Sequence, residues 1–167
     1  AIVRGEIYRG ANGEHPELGH LIVSNDGPPC YCGCRGCLES LASGTAIGAL
    51  GQAEGFADAQ AVFAAARGGA AGARAIVDRA LAAAAAGAWT VFHTFLPRRL
   101  ILGGGIAEEH FDLFAGVMVA RLRAATQFTA QAVEIVPAQL GNGAGMIGAA
   151  ALVLRRGGAA SDSILEA

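Results

Sequence analysis

The chain contains no lysine. Its twelve basic residues are all arginines, scattered along 167 residues, and the formal net charge is −2. Without a basic stripe to neutralise phosphates, nucleic acid is not an expected partner of this chain. Long apolar runs are missing too. The longest, Ala80–Phe92, is thirteen residues of mostly alanine, against about 20 strongly apolar residues for a spanning helix. It reads as a buried helix, and no membrane association is expected. No basic segment leads into an apolar one at the start, so a signal peptide is not expected either. Charged residues make up 16% and hydrophobic ones 53%, which argues against disorder and leaves enough apolar material for one domain with a core. Methionine is also missing from the first position. The chain opens at Ala1 on a strand-like AIV and reads as a piece of something longer.

Cysteine is confined to one place. All four, Cys30, Cys32, Cys34 and Cys37, fall within eight residues, and His20 stands ten residues before the first. The stretch Glu17–Glu39 holds them, with Gly33 and Gly36 between the thiols and Glu17 and Glu39 at its ends. One histidine and three thiolates form a closed tetrahedral set for zinc. Glycines between close cysteines let the backbone take positive φ, where a Cβ would clash. The residues alone point to zinc rather than a disulfide pair or buried reduced thiols, and clustered thiols without a secretory signal suggest a reducing cytoplasm. They favour Cys30, Cys32 and Cys37 with Cys34 as the spare, but other combinations within the Cys30-x-Cys32-x-Cys34 run stay open.

The rest reads as alternating elements. Ala1–Val3 and Glu6–Arg9 are β-prone runs split by Arg4-Gly5, a hairpin signal. Gly10–Gly13 is a loop. His20–Ser24 is expected to be a strand, 25–29 a turn stiffened by Pro28 and Pro29, and Leu38–Gly48 a helix with Glu39 in its first turn, where a carboxylate meets the positive dipole end. Helices are expected over Asp58–Arg67 and Ala71–Leu96, the latter stopped by Pro97, with Ile76, Leu81, Trp89, Phe92 and Phe95 as its apolar stripe. Trp89 and His93, four apart, read as packing residues. Arg99–Leu102 is a strand running into Gly103-Gly104-Gly105. A helix over Glu108–Thr126, a strand over Val133–Val136 and a last helix over Met146–Arg156 follow. Two strand–glycine–helix units in succession point to an α/β layer with parallel pairing. The triple glycine exposes backbone N–H groups that could receive polar ligand atoms. It is neither a P-loop nor GxGxxG, and a tight turn explains it equally well.

Cys30-x-Cys32-Gly33-x-x-Gly36-Cys37-x-Glu39 resembles the CxCGxxGCxE signature of the repressor–ORF–kinase (ROK) family of sugar kinases and sugar-sensing repressors. Glu17-Leu18-Gly19-His20 resembles that family's ExGH element, and Gly141-x-x-Ala144-Gly145-x-x-Gly148 its closing helix. The resemblance runs from Ala1 to Arg156. It implies that His20, Cys30, Cys32 and Cys37 hold a structural zinc, leaving Cys34 outside. It implies that Glu17, His20 and Glu39 line a sugar pocket, which Asn12 and Gly13 would approach, and that Gly103, Gly104 and Gly105 cradle the adenosine of ATP.

The implied fold is α/β, the C-terminal lobe of the actin-like ATPase (ribonuclease H-like/hexokinase) fold, incomplete without its N-terminal half. Residues 1–156 would form that lobe, with an inserted zinc loop over 20–37 and a frayed tail over 157–167. The implied activity is a glucokinase-like transfer of the γ-phosphoryl of ATP, with Mg²⁺, to the 6-hydroxyl of a hexose. The family's DxGGT phosphate loop and its aspartate base have no counterpart here. Asp58, Asp78, Asp112 and Asp162 lie far from the motifs and read as surface residues. The fragment alone is therefore expected to be inactive, to need an N-terminal half, and, as in the family, to form dimers or tetramers. The alternatives are the sugar-sensing half of a ROK repressor and a non-catalytic zinc-stabilised sugar-binding module.

Overall fold

The computed structural model describes residues 1–124 and 133–156. The expected tail from Gly157, with Asp162, and the expected helix end at Thr126 lie outside them. Two compact units are distinguished, one of Ala1–Pro16 with the segment from Gln139 onward, the other Glu17–Ala138.

In the first unit, β1 (Ile2–Val3) pairs antiparallel with β2 (Glu6–Ile7), Ile2 opposite Ile7 and Val3 opposite Glu6. The turn is made by Arg4 and Gly5, both at positive φ (54° and 80°). The hairpin is as expected, but the second strand stops at Ile7 instead of Arg9. The last helix, α7 (Ala144–Arg156), starts two residues earlier than its sequence suggests, because a 3-10 turn over Gly141–Gly143 leads straight into it.

The second unit is built around α4 (Ala71–Phe95). Its buried residues Ala73, Ile76, Val77, Ala80, Ala84, Ala88 and Phe92 recur at helical spacing and form one stripe. By length and composition this helix could cross a membrane, but the stripe packs into a protein core. Val62 and Phe63 of α3 (Ala59–Arg67) and Phe114 and Met118 of α6 (Phe111–Arg123) complete that core. A buried Phe such as Phe63 contributes about 1.5–3 kcal/mol. Alanine on α4 allows its neighbours to come close. Asp58 caps α3 by accepting the Ala61 N–H at 2.8 Å, which gives that carboxylate a structural role.

The expected helix over Leu38–Gly48 is two helices, α1 (Leu38–Ala42) and α2 (Gly44–Ala53). They divide at Ser43, whose backbone is extended and whose hydroxyl accepts the Ala46 N–H at 3.1 Å. An N-cap signal inside an apolar run decided that break. The expected strand over His20–Ser24 does not form. His20 ends a 3-10 turn over Leu18–His20, and Ile22 makes a single bridge to Cys37. Apolar alternation there marks a segment tied to a loop rather than to a sheet.

β3 (Arg99–Leu102) pairs in parallel with β4 (Glu134–Pro137), Leu100 opposite Ile135 and Leu102 opposite Pro137. Parallel pairing is as expected, and Arg99 and Glu134 reinforce the register with an exposed ion pair at 2.8 Å. After the triple glycine, α5 (Gly105–Glu109) and α6 replace one continuous helix, separated at His110.

Two close approaches connect this framework to the motifs. A Cβ on Gly87 of α4 would meet Leu38 Cδ2 at 2.8 Å, so α1, which begins right after Cys37, is seated on the central helix. A Cβ on Gly44 would meet Ile106 Cγ1 at 2.8 Å, so α2 abuts the helix that follows the triple glycine.

Candidate functional site

The cysteine loop is held by its own backbone. Val23 and Ser24 both donate N–H to Gly36 O, at 2.8 and 3.3 Å, and Gly36 N–H donates to Pro28 O at 2.9 Å. Leu38 N–H donates to Leu21 O at 2.9 Å. Within the loop, Gly33 N–H reaches Cys30 O at 3.0 Å and Cys30 N–H reaches Cys34 O at 2.8 Å. Gly36 has φ +71°, and a Cβ there would run into the Ser24 carbonyl; a Cβ on Gly27 would in turn run into Gly36. Only glycine fits this crossing.

The loop brings four donors together. The ligand atoms of His20, Cys30, Cys32 and Cys37 all lie within 4.8 Å of one another. Cys30 Sγ is 3.5 Å from His20 Nδ1, and Cys32 Sγ is 3.5 Å from Cys37 Sγ. Zinc–sulfur and zinc–nitrogen bonds of about 2.3 and 2.0–2.1 Å give tetrahedral edges of about 3.5–3.8 Å. Two edges of this group have nearly that length, so the residues fit such an ion in chemistry and in spacing. Cys34 stays outside the group and is exposed.

The thiols differ electrostatically. Burial pushes Cys37 up to about 12, with the Cys32 and Cys30 thiols adding to the effect. Cys32 is lowered, chiefly because the Cys34 backbone N–H donates to its sulfur. Cys34 is raised, first by its side-chain contact with Cys32.

Next to the donors stand the carboxylates. Glu39 lies in the first turn of α1, and a Cβ on Gly19 would come within 2.9 Å of its Oε2. Gly19 therefore keeps open the space between the histidine turn and that carboxylate. The Tyr31 hydroxyl donates to Glu39 Oε2 at 3.3 Å, and its ring stands edge-on to His20 at 4.9 Å. Desolvation first, then the nearby Glu39, Cys30 and Glu17, raise the Tyr31 phenol above its usual value. So Glu17, His20 and Glu39, which the motifs pick out, share one neighbourhood with Tyr31, which the sequence reading passed over. It occupies a variable position of the motif, and only its placement between two metal-type cysteines could have flagged it. A pocket of about 380 Å³ is lined by Cys30, Tyr31, Glu39, Ser40, Ser43 and Thr45 among others. An apolar pocket of about 270 Å³, with Gly19, Leu38, Leu102 and Met118 in its walls, reaches the same Glu39. Asn12 and Gly13 form a turn in the other unit, with Gly13 N–H on Gly10 O at 2.9 Å.

Gly103, Gly104 and Gly105 are exposed between β3 and α5. Gly104 has φ +100°, and a Cβ on Gly103 would meet the Ala138 methyl at 3.0 Å. The Gly104 N–H donates to Glu108 Oε1 at 3.3 Å. An anion at that N–H would have to displace a carboxylate, so the loop suits a neutral ligand group better than a phosphate. His93 and Trp89 pack as expected, ring to ring at 4.3 Å, with the Arg121 guanidinium 4.4 Å over the indole.

Known proteins resemble this arrangement along most of its length. The ROK family profile matches residues 1–156. A glucokinase of Thermotoga maritima is 34% identical over 93% of this chain and 54% of that protein. The ROK hexokinase from Thermus thermophilus superposes with a TM-score of 0.75 at 31% identity, covering 87% of this chain and 51% of the other. A ROK family glucokinase from Streptomyces griseus, solved in complex with glucose and AMPPNP, gives a TM-score of 0.68 at 28% identity, covering 87% and 53%. The chain thus spans about half the length of the relatives it matches. Its α/β fold is the one these kinases share over that half, the actin-like ATPase fold. With residues 1–156 covered by one family profile, the chain belongs to the ROK family.

Proposed function

We propose that this chain is the sugar- and adenosine-binding half of an ATP-dependent hexose kinase. The observation that carries this reading is the convergence of His20, Cys30, Cys32 and Cys37 beside Glu39. In the intact protein, the γ-phosphoryl of ATP would pass to the 6-hydroxyl of glucose or a related hexose. Zinc, held by His20, Cys30, Cys32 and Cys37, supplies structural order and no chemistry at the sugar.

His20 turns Nδ1 toward Cys30, which leaves Nε2 for a sugar hydroxyl. A histidine fixed through one nitrogen presents the other in a defined tautomer and orientation. Glu39 and Glu17 would accept hydrogen bonds from sugar hydroxyls, and ionised acceptors make the stronger kind. Gly103–Gly105 would lie against adenosine, with Mg²⁺ and the phosphates held by the N-terminal half. That half would also bring the general base, since phosphoryl transfer needs a group to orient and deprotonate the hydroxyl. Residues 1–156 would form the large lobe, in a cytoplasmic enzyme that assembles into dimers or tetramers.

Calorimetric titration of glucose into the chain joined to its N-terminal half, with and without zinc, tests the reading. Glucose should bind the zinc-loaded protein and bind at least about tenfold more weakly after chelation, the usual scale for losing metal-site support. Equal affinity in both states would separate the metal from the sugar and remove the basis of the assignment.

A further inference from the structure

One thiol has no place in the four-donor group. Cys34 follows Cys32 by two residues, and both side chains are exposed, whereas Cys37 is buried and Cys30 partly so. Gly33 between them has φ +91° and open space around it. The Cys30 N–H···O Cys34 bond at 2.8 Å closes the turn and holds both thiols at its rim. Cys32 and Cys34 thus flank Gly33 on one exposed turn. A spare, solvent-facing thiol therefore stands two residues from the most exposed member of the metal-type set, on the same turn.

We propose that Cys34 is a resolving cysteine, which converts the donor loop into a reversible, peroxide-sensitive switch. The inference rests on the metal reading given above. The chemistry is a two-electron oxidation. The Cys32 sulfur attacks one oxygen of hydrogen peroxide; the S–O bond forms, the O–O bond breaks, and the departing hydroxide takes up a proton as water. The Cys34 sulfur then attacks Cys32 and displaces the sulfenic oxygen, which leaves as a second water. Two thiols and one peroxide become one disulfide and two waters. The donor set falls from four to three, namely His20, Cys30 and Cys37, and an ion that prefers a closed tetrahedron loses a quarter of its ligands. A dithiol reductant restores Cys32. Cys37 Sγ also lies 3.5 Å from Cys32 Sγ, but it is buried and held in the donor set, so without Cys34 the Cys32 sulfenic acid proceeds to the sulfinic state, which dithiols do not reverse. On this reading Cys34 protects the loop as well as switching it.

The test uses the chain joined to its N-terminal half, purified and loaded with zinc. Metal content before any oxidant is measured first. Hydrogen peroxide is then added, released zinc is followed with a chromogenic chelator, disulfides are mapped by mass spectrometry of thiol-blocked peptides, and recovery is measured after dithiothreitol and fresh zinc. The expected result is zinc release together with a Cys32–Cys34 disulfide, and nearly full recovery. In Cys34→Ser, zinc should bind normally in the reduced state, while the recoverable fraction falls to roughly a tenth as Cys32 moves to the sulfinic acid. A chain that takes up no zinc sinks the metal reading and this proposal with it. A chain that binds zinc but forms its disulfide elsewhere, or a Cys34→Ser variant that recovers as fully as the parent, overturns this proposal alone.

Discussion

The Tyr31 hydroxyl donates to Glu39 Oε2 at 3.3 Å. The same ring lies edge-on to His20 at 4.9 Å, so one exposed side chain of the cysteine loop touches both a proposed sugar acceptor and a proposed metal ligand. Loop order is thereby passed to Glu39 without a covalent link. A carboxylate that accepts one hydrogen bond in advance has fewer orientations to give up when a sugar arrives.

Tyr31→Phe in the full-length enzyme should raise the KM for hexose by about threefold to tenfold, the range expected for one ordinary hydrogen bond at an exposed site. Turnover should change little, because the hydroxyl donates to Glu39 rather than to the reacting oxygen, and zinc content should stay the same. Steady-state kinetics paired with metal analysis checks this. Loss of zinc in the variant would show that Tyr31 serves the loop and not the carboxylate.

Zinc affinity should depend steeply on pH. Burial holds the Cys37 thiol at about 12, so it is neutral at physiological pH and must give up its proton to become a ligand. Binding then releases protons, and lower pH opposes it. Apparent affinity should rise about tenfold per pH unit for each proton released. Competition with a chelator of known affinity between pH 6.5 and 8.5 measures the slope. A flat profile would mean that no thiol deprotonates on binding. Cys37→Ser should lose the metal, and because Cys37 directly precedes α1, thermal stability should fall with it.

His110 makes a second pH prediction, away from the loop. Its ring is 8% exposed, stacks on Phe63 at 3.8 Å, and leaves Nε2 without a hydrogen-bond partner among the described residues. Burial lowers its pKa from the usual histidine value; the Glu109 carboxylate opposes this and the Arg67 guanidinium reinforces it. The unfolded chain takes up this proton near pH 6.5 and the folded chain only at lower pH. Between the two values the unfolded state binds more protons, so this contribution is full above about 6.5 and is lost as pH falls toward the folded value. His110→Phe should melt less pH-dependently than the parent between pH 7 and 5. Parallel slopes for the two proteins in thermal melts would rule His110 out.

Much of this site is legible in the sequence because metal chemistry restricts both residue type and spacing. A histidine and three thiols cannot share an ion unless the loop between them turns tightly, and Gly33 and Gly36 mark where it does. The parallel pairing of β3 with β4 follows from two strand–glycine–helix units. What stays hidden depends on tertiary contacts or on competition between local signals. His20–Ser24 alternates like a strand, but Val23 and Ser24 bond to Gly36 of the loop and Leu21 accepts from Leu38 at the start of α1, leaving only the Ile22–Cys37 bridge. Ser43 is a strong N-cap inside a run that reads as one helix. Tyr31 sits at a variable position of the motif, and its role depends on where α1 places Glu39.

Two glycines of the loop should respond to very different degrees to the same substitution. Gly33 and Gly36 both have positive φ, +91° and +71°. A Cβ at Gly33 meets nothing within 4 Å, while one at Gly36 runs into the Ser24 carbonyl. Gly33→Ala should therefore cost only the left-handed backbone penalty of about 1–2 kcal/mol, with zinc retained. Gly36→Ala adds a backbone clash that cannot be relieved by a rotamer change. It must push the 23–24 segment away from the loop, breaking the Val23 and Ser24 bonds to Gly36 O that hold the donors in register. That variant should bind zinc at least about tenfold more weakly, the scale on which metal sites respond when their support is removed. Thermal melts and metal content, measured side by side, check both. Equal loss in the two variants would mean that backbone conformation, and not the Gly36–Ser24 crossing, sets the geometry of the donors.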